Sequence, residues 1–119
     1  MSTAKYRLLV LGYCIMILSA SSIPIENITN LKLTGWDKLL HVLEYSILGW
    51  LLLHALLGGQ WTVFSMAIAG GMLFGAFDET WQKFLVYRSA SFLDWAADSA
   101  GVALGVVTGR VLMARREGP

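Results

Sequence analysis

Apolar residues gather into four runs along the chain, at 8–23, 39–57, 61–77 and 92–113. A helix that crosses a bilayer needs about 20 residues, within a range of about 17 to 25, at 1.5 Å each. The second, third and fourth runs meet that length, and the first does so if its ends snorkel. The pattern predicts helices over about 6–23, 37–57, 61–81 and 92–114. The links between them are residues 24–35, the tight Gly58-Gly59-Gln60 and residues 83–91. Links this short set neighbouring helices antiparallel. The expected fold is all-α: one domain over 1–119, a four-helix transmembrane bundle running up and down.

Polar residues interrupt this pattern in a restricted way. Asp37, Lys38, His41 and Glu44 open the second run, Asp78, Glu79 and Lys83 close the third, and Arg88, Asp94 and Asp98 lead into the fourth. In an up-and-down bundle all ten lie at the same end. Charges at membrane depth are costly and by default mark a site. Helical spacing gathers them into stripes. On the second helix the stripe is Asp37, His41 and Glu44 or Tyr45. On the third it is Gly71, Gly75, Asp78 or Glu79, and Gln82; on the fourth, Ser91, Asp94 or Trp95, Asp98, Gly101 or Val102, and Gly105. Gly101, Gly105 and Gly109 form a doubled small-xxx-small pattern, which lets helix backbones approach closely in lipid. The fourth helix is therefore expected to be central. Six carboxylates (Asp37, Glu44, Asp78, Glu79, Asp94, Asp98) meet three permanent cations (Lys38, Lys83, Arg88), an excess of three negatives. Some acids must then be protonated or hydrated, or a cation must be bound.

Orientation follows from the basic residues. Lys5, Arg7, Arg110, Arg115 and Arg116 share one side, which the positive-inside rule makes the cytoplasm, so both termini are expected there. Lys32, Lys38, Lys83 and Arg88 lie on the other side, and Trp36, Trp81, Tyr87 and Trp95 suit an interfacial belt at that outer boundary. The first run, with Lys5, Arg7 and Ser19-Ala20-Ser21, also fits a cleavable signal peptide. A retained helix is preferred, because removal would leave three spans and place the carboxy terminus opposite its basic residues. The chain is 56% hydrophobic and 14% charged, with a mean hydropathy of +0.61. Soluble domains carry about 25% charged residues. A net charge of +1 with no basic run gives no basis for nucleic-acid binding. The lone Cys14 reads as a small packed hydrophobe.

Each polar residue also has a plain structural reading. Asp37 could cap the second helix, Lys38 could snorkel at the boundary, and Asp94 could cap the fourth helix. His41 could bond to Asp94 or Asp98 as a neutral imidazole, and His54 could anchor at the interface. Asp78 and Glu79 could end the third helix in solvent. Asp98, a turn or more inside an apolar helix, is the hardest to read in this way.

The segment from Asp37-Lys38 through His41 to Tyr45 and Gly49, followed by Asp78-Glu79, Gln82, Arg88, Asp94, Asp98 and Gly101, resembles the two sequence blocks of the VanZ-like family of small bacterial membrane proteins. The resemblance implies a four-helix, multi-pass domain of the bacterial inner membrane. The family's founding member is associated with low-level resistance to teicoplanin and related glycopeptides. The chain departs from the pattern at Val42, at Glu44 and at Tyr87-Arg88.

Three readings follow. The first is an outward-facing polar pocket for the headgroup of a lipid or a lipid-linked peptidoglycan precursor. Its candidate residues are Asp37, Lys38, His41, Tyr45, Asp78, Glu79, Gln82, Arg88, Asp94 and Asp98, with Lys38, His41, Gln82 and Arg88 as donors to phosphate. The second is an accessory bundle whose ion pairs fix helix register, working with a membrane protein partner or a second copy. The third is an intramembrane enzyme using His41 with Glu79 or Asp98, either as acid–base groups or around a divalent metal. The first ranks highest; it assigns no cofactor and no metal, and names membrane lipids as the partners.

Overall fold

A computed structural model of the chain describes residues 2–22, 36–56, 60–85 and 91–118. Among them are four helices: α1 (Thr3–Ser21), α2 (Trp36–Ala55), α3 (Trp61–Lys83) and α4 (Phe92–Arg116). These follow the predicted boundaries within about three residues. The Gly58-Gly59 turn and the connecting segments with Lys32, Tyr87 and Arg88 lie outside the described residues. Two starts are capped by serine. Ser2 Oγ accepts from the Lys5 amide at 3.4 Å, and Ser91 Oγ from the Asp94 amide at 3.1 Å, each satisfying one amide that has no intrahelical partner.

At about 1.5 Å per residue the helices are about 28 to 38 Å long, against a hydrocarbon core of about 30 Å. α1, α3 and α4 are long and apolar enough to cross a membrane. Over its described residues α2 falls short of that level of hydropathy, and residue 57 of the second run lies outside them. The polar α2 residues Asp37, Lys38, His41 and Tyr45 bond to other protein groups, so the stripe faces the bundle.

Burial runs opposite to that of a water-soluble protein. Asp78, Glu79, Gln82, Asp94 and Asp98 are buried, while Leu8, Leu73 and Phe92 are 70%, 72% and 75% exposed. An apolar exterior around a polar interior suits lipid, where backbone polar groups have to be satisfied within the protein and ionisable side chains face its interior.

α2 and α4 are the central pair and run parallel. Lys38 meets Asp94, His41 meets Asp98, Val42 faces Gly101, Ser46 faces Gly105, and Leu53 faces Gly109, an almost constant offset along both chains. Their approach is set by glycine. A Cβ at Gly101 or Gly105 would overlap the carbonyl oxygen of Val42 or Ser46, and one at Gly49 would overlap that of Val102. At Gly109 the neighbours are side chains, with Leu53 Cδ2 at 2.9 Å from a built Cβ. The small-xxx-small pattern therefore marks the α2–α4 contact. α3 packs antiparallel to both, with Gly71 against Val102 and Gly75 against Asp98, Trp95 and Tyr45. α1 lies antiparallel along α2, where Tyr13 Oη donates to the Glu44 carbonyl at 2.6 Å and Arg7 Nε to that of Ala55 at 3.1 Å. Ile17, Tyr45, Leu48, Leu53, Ala67, Val102 and Val106 form the apolar core. The polar groups lie beyond one end of it.

Candidate functional site

The start of α2, the end of α3 and the start of α4 converge at that end. Parallel α2 and α4 bring two stripes into register. Lys38 Nζ bonds Asp37 Oδ2 at 2.9 Å and also bonds Asp94 Oδ1. One turn deeper, His41 Nδ1 lies 2.6 Å from Asp98 Oδ1. A carboxylate only accepts, so the Nδ1 hydrogen donates. A further turn along α2, Tyr45 Oη donates to Asp78 Oδ2 on α3 at 2.9 Å. The three steps descend the bundle as an ion pair, a histidine–carboxylate pair and a phenol–carboxylate pair.

Several structural readings are decided by these contacts. Asp37 sits inside the first turn of α2 and pairs with Lys38. Asp94 leaves the cap of α4 to Ser91 and bonds Lys38 instead. Lys38 is held by two carboxylates instead of extending freely to the boundary. His41 takes Asp98 of its two candidate partners. Asp78 and Glu79 do not end the helix in solvent; they are 1% and 6% exposed. His54 lies at the far end, where its Nδ1 is 2.7 Å from the Trp50 carbonyl and its ring packs on Trp50 and Tyr6.

Some polar atoms stay unmatched. Both carboxylate oxygens of Glu79, Oδ1 of Asp37 and of Asp78, Oδ2 of Asp98 and Nε2 of Gln82 are buried with no hydrogen-bond partner among the described residues. Leaving a buried polar group unpaired costs about 1–3 kcal/mol, more for a charged one. Such groups call for an explanation. Glu79 also lines a cleft of about 330 Å³ between α3 and α4, together with Ala76, Thr80, Lys83, Ser91, Phe92 and Trp95. Ser91 and Lys83 are exposed, and Lys83 makes no ion pair among the described residues. One ligand atom from each of His41, Glu79 and Asp98 lies within 4.8 Å of the other two.

Of the residues singled out in the sequence, Asp37, Lys38, His41, Tyr45, Asp78, Glu79, Gln82, Asp94 and Asp98 are assembled at this end, and Arg88 lies outside the described residues. Two contributors were passed over. Trp95, read as a belt residue or an alternative to Asp94 on the stripe but not as a site residue, walls the cleft and donates from Nε1 to the Met72 carbonyl at 3.0 Å. Tyr13 ties α1 to α2, and a hydroxyl in the middle of an apolar run was the available signal.

The fold and the buried ionisable layer define a helical membrane protein with a polar site at one end of its bundle. A family model described as VanZ/LLP1 matches residues 2–113, and the chain belongs to that family. Neither curated proteins nor solved structures gave a match.

Proposed function

We propose that the polar end of the bundle binds the headgroup of a lipid or of a lipid-linked envelope precursor. The observation that carries this reading is Glu79: a buried carboxylate whose two oxygens have no partner among the described residues, set in the wall of a cleft that has Lys83 and Ser91 beside it. Glu79 accepts hydrogen bonds from hydroxyl or amine groups, and the Lys83 ammonium attracts a phosphate. A phosphorylated headgroup that also bears donors offers both. Lys38 and His41, first considered as phosphate donors, are committed to carboxylates, so Gln82 Nε2 and Lys83 take over that part among the described residues. Apolar side chains around the bundle hold the acyl or polyprenyl tail in lipid while the headgroup turns inward.

In this reading the chain is a multi-pass protein of the bacterial cytoplasmic membrane, with both termini in the cytoplasm. Lys5, Arg7, Arg110, Arg115 and Arg116 at the opposite end support that orientation. The cleft then opens in the outer leaflet, where peptidoglycan precursors are exposed to glycopeptides, and occupancy by such a precursor would alter susceptibility. An accessory role is favoured by a separate observation, the Lys38–Asp94 and His41–Asp98 pairs, which lock α2 to α4 in one register. The two roles are compatible, since the paired groups build the frame and the unpaired ones face the ligand.

Native mass spectrometry of the protein released from membranes tests the binding reading. Glu79→Gln and Lys83→Ala should each lower co-purified lipid by about tenfold, the effect of about 1.4 kcal/mol. Equal lipid retention in both variants and the parent would overturn it.

A further inference from the structure

We infer that His41, Glu79 and Asp98 form a site for a divalent metal ion at the floor of the polar end. Three elements bring these side chains together: α2 supplies the imidazole and α3 and α4 one carboxylate each, with candidate ligand atoms within 4.8 Å of one another. Ligands about 2.0–2.2 Å from a shared ion stand about 3 to 4 Å apart, which small side-chain rotations reach from this arrangement. Independent support comes from the unsatisfied atoms. Glu79 is 6% exposed with neither oxygen bonded among the described residues, and Asp98 is 0% exposed with Oδ2 likewise unbonded. A buried carboxylate needs a counter-charge or a proton. Of the two described lysines of this layer, Lys38 is taken up by Asp37 and Asp94 one turn away, and Lys83 is exposed and makes no ion pair among the described residues.

The pairing of His41 with Asp98 is consistent with this use. Nδ1 lies 2.6 Å from Asp98 Oδ1, so an ion entering here replaces the hydrogen between them: the imidazole keeps its hydrogen on Nε2 and offers the Nδ1 lone pair beside the Asp98 carboxylate, as metal binding requires of its ligands. Asp98 Oδ2 and the two Glu79 oxygens supply oxygen donors. One imidazole nitrogen with carboxylate oxygens suits first-row ions such as Zn²⁺ or Mn²⁺, and is a poor match for Mg²⁺ or Ca²⁺, which take oxygen ligands. A divalent ion also removes two of the surplus negative charges in the layer. Three protein ligands leave coordination positions open, so the ion could receive a phosphate oxygen from the cleft that Glu79 lines. That extension rests on the headgroup reading; the ion site itself does not.

The test uses the full chain in detergent, stripped with chelator and freed of lipid, titrated calorimetrically with Zn²⁺ or Mn²⁺ alone. We expect one ion per chain at micromolar affinity or tighter, and Mg²⁺ binding at least 100-fold weaker. Glu79→Gln should weaken binding at least 100-fold, and His41→Gln likewise. Glu117→Gln, at the far end of α4, should leave it unchanged. Glu79 makes no hydrogen bond among the described residues, so Glu79→Gln breaks none of those bonds. Its helicity and metal-free melting should equal the parent's, which keeps the test valid even if His41→Gln fails to fold. Absence of saturable one-to-one binding, or equal affinity in the parent and Glu79→Gln, would overturn the site. Because the probe is the metal alone on lipid-free protein, a negative result there would leave lipid co-purification to decide headgroup binding separately.

Discussion

Replacing Gly105 by alanine tests whether the backbone approach of α2 and α4 sets the geometry of the polar end. The added Cβ would overlap the Ser46 carbonyl oxygen and stand 2.9 Å from the Trp50 amide nitrogen. Both are backbone atoms of α2, so no side-chain rotation relieves the overlap and the two helices must move apart. Overpacking of this kind costs about 1–3 kcal/mol, whereas glycine to alanine in a helix interior returns about 1 kcal/mol. An overlap this deep with backbone lies at the upper end of that range, so the steric term fixes the sign, for a net loss of about 2 kcal/mol. Gly70→Ala is the matched control. A Cβ there meets nothing within 4 Å, so only the propensity gain of about 0.5–1 kcal/mol remains. Thermal melts of helicity in detergent would read both variants. Because α2 and α4 also carry the His41–Asp98 pair, separation should lower lipid retention in Gly105→Ala alone. Gly105→Ala as stable as the parent, or both variants shifting in the same direction, would refute the reasoning.

Lys38→Met leaves Asp94 buried without its cation and should destabilise by about 1–3 kcal/mol, the cost of an unpaired buried group. Combining it with Asp94→Leu should recover most of that loss, and chemical-denaturant titrations of the four proteins in the cycle measure the coupling. Tyr45→Phe removes the one protein hydrogen bond of the Asp78 carboxylate among the described residues, and a loss of about 0.6–1.7 kcal/mol by the same assay is expected for an interhelical bond in a membrane protein. Tyr13→Phe should detach α1 locally, with accelerated amide exchange over α1 at a global cost of about 0.5–1.5 kcal/mol; unchanged exchange would show that apolar packing alone holds that helix.

Much of the architecture was readable from the order of residues because apolar run length and turn spacing act locally. Four runs gave four helices in the expected places, and the doubled glycine pattern marked α4 as central because close backbone approach requires a missing side chain, a property of the residue itself. The stripe at Asp37, His41 and Tyr45 was legible for the same reason, since 3.6 residues per turn puts them on one face. Pairing was not legible. His41 could equally have met Asp94 or Asp98, and only the parallel register of α2 and α4, fixed by Gly49, Gly101 and Gly105, selected Asp98 and gave Asp94 to Lys38. Nor could the sequence separate satisfied carboxylates from unsatisfied ones. Asp78 and Glu79 are adjacent in the chain, yet the 100° between them around α3 aims Asp78 at Tyr45 and leaves Glu79 in the cleft with no hydrogen-bond partner among the described residues. Periodicity and length thus determined which residues share a face. Which acid is paired and which is left for a ligand depended on how three helices pack, because a hydrogen bond is settled within a few tenths of an ångström and helical spacing does not carry that resolution across the bundle.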